Sequence, residues 1–97
     1  MRFFIFILAV FLLASCNTPS VDKLGAPFRM VEAQGLKFKV YFTSTEAEAF
    51  RLTPLYPPRL ARITPAAEEA ITRASGCRVV AGTLRGDPAK LEADLVC

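Results

Sequence analysis

Between Arg2 and Ser15 the chain runs from Phe3 to Ala14 without a polar side chain, and that run takes itself out of the fold. A helix needs about 20 apolar residues to cross the hydrocarbon core, whereas the apolar region of a secretory signal takes roughly 7 to 15 and ends in small residues. With a basic residue before it and Ala14-Ser15 behind, the run predicts a cleaved signal over residues 1–15. About 80 residues are then left, enough for one small domain whose core is marginal without a staple.

Leu13-Ala14-Ser15-Cys16 resembles the lipobox of bacterial lipoproteins, in which an apolar and two small residues precede a lipidated cysteine. The resemblance covers the first sixteen residues and implies a diacylglyceryl group on the Cys16 thiol, cleavage before it and acylation of the new amine. Each buried methylene contributes about 0.8 kcal/mol, so one acyl chain holds marginally and two or more hold firmly. The implied location is the bacterial cell envelope, with the membrane as a partner through the lipid. Asn17 stands where an Asp marks inner-membrane retention in enteric-type bacteria, so the resemblance favours the outer membrane. Lipidation of Cys16 leaves Cys77 and Cys97, out of 3 cysteines, as a pair in a compartment where disulfides persist.

The segment between that pair carries Gly86-Asp87-Pro88 at its midpoint. A hairpin about Asp87 sets Cys77 opposite Cys97, Val79 opposite Leu95, Ala81 opposite Ala93 and Thr83 opposite Leu91, with Arg78, Asp94, Glu92 and Lys90 on the other face. Closing a loop of about 20 residues contributes roughly 3 kcal/mol in the loop-entropy account. Redox chemistry favours a close C-x-x-C pair, so this spacing predicts a structural disulfide.

Residues 16–27 form a polar stretch with Pro and Gly, expected to tether the lipid to a single domain over residues 28–97. Leu36, Phe38, Val40 and Phe42 alternate with Lys37, Lys39 and Tyr41, the period of a half-buried strand. A three-residue loop, Ala33-Gln34-Gly35, would pair Met30 with Phe38 and Phe28 with Val40. Residues 46–53 fit either a short helix behind a Thr45/Glu48 capping box or a strand. The strand is preferred, because a hairpin return sets Phe50 beside Val40 and Leu52 beside Phe38. Residues 54–65 hold four prolines and read as an extended crossover offering Tyr56, Arg59 and Arg62 to a partner. Thr64 then caps a helix with Pro65 at its first position. Its apolar stripe is Ala67, Ala70, Ile71 and Ala74, Glu68 and Glu69 sit near its positive end, and Gly76 stops it. The expected fold is α+β: a small antiparallel sheet in the order β-β-β-α-β-β, one helix on one face, and a disulfide-stapled C-terminal hairpin.

The chain has no histidine, so the usual Ser-His, Cys-His and His-metal arrangements are unavailable to it. Glu68 and Glu69 splay apart on a helix, and Glu92 and Asp94 read as surface beside Arg78 and Lys90. No phosphate loop, metal cluster or nucleotide fingerprint appears. The reading is therefore non-catalytic, without a cofactor or metal. The inferred registers gather Arg29, Lys37, Lys39 and Arg51 on one sheet face, and like charges opposed across strands are unfavourable unless an anionic surface meets them. An envelope location makes nucleic acid the wrong anion. Two functions stay open: a binding or structural module for an anionic envelope surface or envelope protein, and an accessory or inhibitor subunit of an envelope enzyme or assembly complex.

Overall fold

The computed structural model describes residues 24–97; the signal segment, Cys16 and the tether as far as residue 23 lie outside the described residues. Strands β1 (Phe28–Ala33), β2 (Leu36–Phe42) and β3 (Glu46–Arg51) precede helix α1 (Leu60–Ser75). After it come β4 (Arg78–Val79), β5 (Arg85–Gly86) and β6 (Lys90–Val96). The strands form one antiparallel sheet in the order β1-β2-β3-β6-β4, with β5 also on β6. The α+β class, with three strands before the helix and an antiparallel hairpin after it, is as the sequence predicts; the first arm of that hairpin is split into β4 and β5, so three strands follow the helix in place of two, and residues 46–51 are a strand.

The helix lies across one sheet face. Ile63, Ala66, Ala67, Ala70, Ile71 and Ala74 of α1 are buried against Ala33, Leu36, Phe38, Val40, Ala47, Ala49, Leu91, Ala93 and Leu95. Alanine on both sides lets the helix approach closely, and Phe38, Ile63 and Ile71 fill the remaining volume. Gly76 adopts the left-handed conformation and its N–H bonds to the Thr72 carbonyl, 2.9 Å, ending the helix where expected.

The start of the helix differs. It begins at Leu60, with Arg59 as an N-cap that makes no side-chain hydrogen bond, and Pro65 sits inside it. Two elements compete here: a Thr64-Pro65 start would keep every helical N–H, but the earlier start puts Ile63, fully buried, on the stripe shared with Ala67 and Ala70. Burying such a side chain contributes about 1.5–3 kcal/mol. Glu68 and Glu69 consequently lie in the middle of the helix, away from the positive end, and Glu69 pairs with Arg73 at 2.6 Å.

Both N-terminal registers are shifted by one residue from expectation. Phe28 faces Tyr41 and Met30 faces Lys39, because the β1–β2 turn has two residues, Gln34 and Gly35, both with positive φ (51° and 79°). Paired positive φ values give the turn whose twist matches a right-twisted hairpin. In β2–β3, Val40 faces Ala49 and Lys39 faces Phe50. There the Thr43 hydroxyl accepts from the N–H of Glu46 (3.1 Å) and sets the turn. A shift of one residue moves a strand's side chains to the opposite face. Phe28, Met30 and Phe50 therefore leave the helix-covered face, and Arg29 and Arg51 join it.

The C-terminal hairpin keeps half of its predicted register. Val79 faces Leu95 and Arg78 faces Val96, and the Cys77–Cys97 disulfide closes one residue further on with Cα atoms 4.4 Å apart. Beyond Val80 the strand loops out. The Thr83 hydroxyl donates to the Val80 carbonyl (2.7 Å) and accepts from the N–H of Asp94 (3.1 Å). Pairing resumes as Arg85 with Glu92 and Gly86 with Leu91, so the expected Ala81–Ala93 and Thr83–Leu91 pairs do not form. Asp87 makes the turn: its Oδ1 accepts from the N–H of Ala89 (2.8 Å) and of Lys90 (2.9 Å).

Candidate binding face on the sheet

The sheet face opposite the helix is assembled by the cross-strand rows. One row reads Phe28, Tyr41, Glu48, Glu92, Arg85 and the next Met30, Lys39, Phe50, Lys90. The Phe28 and Tyr41 rings stand 5.4 Å apart and the Tyr41 and Phe50 rings 5.9 Å apart, edge to face. The Lys39 ammonium lies 4.6 Å from the Phe28 centroid and 5.0 Å from that of Tyr41, and the Lys90 ammonium 5.8 Å from that of Phe50. Cation–π contact of this kind holds a lysine at an aromatic surface without neutralising it.

The two ends of this face have different electrostatics. Over β6 and β5 the charges interlock: Lys90 approaches Glu92 (3.2 Å) and Glu48 (3.5 Å), and Arg85 approaches Asp94 (3.5 Å) and Glu92 (3.7 Å). Glu48 is fully buried, and a carboxylate out of water requires such a partner. Over β1 and β2 the face is amphiphilic: Phe28 and Met30 are 52% and 56% exposed, beside Lys39 and Lys37.

The four basic residues grouped from the sequence do not share a face. Lys37 and Lys39 lie on the open face, whereas Arg29 faces Val40 and Arg51 faces Phe38 on the side of the helix. Arg51 is half-buried, and its Nη1 is buried with no hydrogen-bond partner. The crossover residues also separate. Tyr56 stands 96% exposed and Arg59 is the exposed helix cap, while Arg62 is a helix residue whose Nη1 donates to the Gln34 carbonyl (3.1 Å), bracing the β1–β2 turn. Cys16 lies outside the described residues. Phe28 and Met30, expected in the core, are the functional candidates that sequence reading missed. Their placement follows from treating Gln34-Gly35 alone as the turn.

A hollow of about 560 Å³ opens beside the disulfide, bordered by Leu24, Pro27, Phe42, Ser75, Cys77 and Cys97. Its border carries the hydroxyls of Thr43, Ser44 and Ser75 beside the disulfide and no Asp, Glu, Lys or Arg side chain. Among the described residues no cluster of three His, Cys, Asp or Glu is placed to hold a metal, and no helix is long and apolar enough to cross a membrane. Comparison with protein-family models, with curated proteins and with solved structures finds no match.

Proposed function

We propose that this chain is a lipid-anchored protein of the bacterial cell envelope whose folded part is a non-catalytic module that binds another protein along β1. Three observations support the anchor. Cys77 and Cys97 take each other, Cys16 is the cysteine outside that pair and ends the lipobox-like Leu13-Ala14-Ser15, and a structural disulfide belongs to an oxidising compartment. The eleven residues from 17 to 27 reach at most about 40 Å, so the domain works close to its membrane.

The observation that carries the binding reading is the exposure of Phe28 and Met30 together on a strand at the sheet edge. Large exposed apolar groups, a methionine and aromatic rings among them, are the composition of a protein-binding patch. With Arg29 and Arg51 on the other face, an anionic surface would find only Lys37 and Lys39 here, and a protein partner fits better. Tyr56, standing clear of the crossover, favours a second reading: an accessory or inhibitor subunit that meets an envelope enzyme through that loop.

The test is made on the full chain expressed in a bacterium. A photo-crosslinking amino acid at Met30 is expected to give a protein adduct in the membrane fraction. The same probe at Glu68, on the exposed side of α1, is expected to give none. Intact mass is expected to show a chain starting at Cys16 with acyl mass, and Cys16→Ser to release the protein from the membrane. A soluble, unlipidated wild-type chain would sink the anchor; lipid-only adducts at Met30 would sink the protein-binding reading. Adducts from Tyr56 but not Met30 would move the site to the crossover.

A further inference from the structure

The hydrogen-bond phase of the sheet shows which groups β1 leaves open. Phe42 N–H donates to the Pro27 carbonyl (3.2 Å) and Leu52 N–H to the Lys37 carbonyl (2.8 Å). With the β1–β2 register, Leu36, Phe38, Val40 and Phe42 bond to β1, and Lys37, Lys39 and Tyr41 bond to β3, since main-chain bonds in an antiparallel strand alternate sides. Arg29, Val31 and Ala33 accordingly direct their N–H and C=O groups to β2. Those of Phe28, Met30 and Glu32 point out of the sheet. Arg73 confirms the direction: its Nη1 donates to the Glu32 carbonyl at 2.9 Å, covering one end of the edge.

The other edge is protected differently. There β4 and β5 have two residues each and are separated by the looped-out segment after Val80. Short, interrupted strands are a way of preventing further pairing. β1 has six residues, no proline and no bulge, and its outward-bonding residues include the two exposed apolar ones.

We infer that β1 pairs antiparallel with β1 of a second copy of this chain, about a two-fold axis through Met30, giving one continuous sheet across the dimer. The inference rests on the proposed protein-binding role of β1 and names the partner. Outward-pointing groups can pair only with outward-pointing groups, which limits the registers. A two-fold axis through Arg29 would oppose two arginines, which is unfavourable. The axis through Met30 sets Met30 against Met30 and Phe28 against Glu32 of the second copy, each pair exchanging both N–H···O bonds. The Glu32 carbonyl has a second lone pair beside the one that Arg73 takes. Charge complementarity follows from the same register: each Glu32 carboxylate arrives beside the Phe28 ring of the other copy, where the Lys39 ammonium already sits. The two Phe28 and two Met30 side chains then cover one another on the open face.

Sedimentation equilibrium of the full chain in detergent is the test. The wild type is expected to dimerise. Met30→Pro removes an outward N–H that no strand among the described residues uses, so the circular dichroism spectrum is expected to stay unchanged while the dissociation constant rises at least tenfold. Glu32→Lys is expected to weaken the dimer, and combining it with Lys39→Glu to restore it. A wild-type chain that stays monomeric at every concentration overturns the inference, as does a dimer unaffected by both Met30→Pro and Glu32→Lys. A monomer whose Met30 probe still crosslinks to a different envelope protein overturns the inference while leaving the binding role of β1 in place.

Discussion

At the scale of single residues the molecule holds two positions whose chemistry is easily tested. Gly86 has φ 132°, and a Cβ built on it would overlap the Lys90 carbonyl oxygen and crowd the Leu91 Cα. The neighbour is backbone of the β5–β6 turn, which the two Asp87 hydrogen bonds hold in place, so it yields little. Gly86→Ala is expected to cost about 1–3 kcal/mol, the range for a residue forced into a disfavoured conformation, read as a lower urea midpoint. Arg51 is the opposite case. Its buried, unpartnered Nη1 carries a desolvation cost with no hydrogen bond to offset it, while its aliphatic stem lies beside Phe38. Arg51→Met keeps the stem and removes the orphaned donor, so a gain of about 0.5–1.5 kcal/mol is expected in the same measurement. A loss would mean that the guanidinium has a partner that matters.

At the scale of elements, α1 shows how packing overrides a local start signal. Pro65 is the sixth residue of the helix, too far in for its missing N–H to be one of the free donors of the first turn, so the Ala61 carbonyl loses its partner. The side chain of Pro65 is exposed, so replacing it touches nothing in the core. Pro65→Ala is expected to raise stability by about 1–3 kcal/mol, with a higher thermal midpoint and a small gain in helical circular dichroism. A loss would show that the pre-set φ of proline matters more to the folding of this segment than the hydrogen bond it removes. The arginines of α1 act between elements: Arg62 and Arg73 hold the Gln34 and Glu32 carbonyls and so fasten the hairpin end of β1 to the helix. Among the described residues the rest of β1 is left with its outer edge unpaired.

For the molecule as a whole, the disulfide joins the end of α1 to the end of β6, the strand that pairs with β3, β4 and β5. Its loss therefore frees the C-terminal end of a central strand. In the loop-entropy account a closed loop of about 20 residues contributes roughly 3 kcal/mol, a large share of the 5–15 kcal/mol of a typical domain. Cys77→Ser with Cys97→Ser is expected to lower unfolding free energy by about 2–4 kcal/mol in denaturant, without loss of the β1–β2–β3 sheet at low temperature. A chain whose stability is unchanged by reduction would show that β6 is held by its ladder and its buried Leu91, Ala93 and Leu95 alone.

What the sequence by itself determined was whatever depends on neighbours along the chain: three strands, then a helix, then a hairpin, the alternation of Leu36 to Phe42, the small-residue stripe of the helix, its stop at Gly76, the Asp87 turn and the cysteine pairing. Hydrophobic period and turn residues are local, so they can be read locally. The tertiary structure decided register, and register decided the face. One residue more or less in a turn leaves the alternation of Phe28, Met30 and Phe50 intact as a pattern but moves each to the other side of the sheet. In β3 the face beneath the alanine-lined helix is taken by the small side chains of Ala47 and Ala49, and Phe50 lies on the other face. The same contact decided where the helix starts, since burial of Ile63 outweighs the signal at Thr64-Pro65. Arg29 and Arg51 were therefore parted from Lys37 and Lys39, and Phe28 and Met30 were carried to the open edge, by a packing constraint that no short stretch of the chain contains.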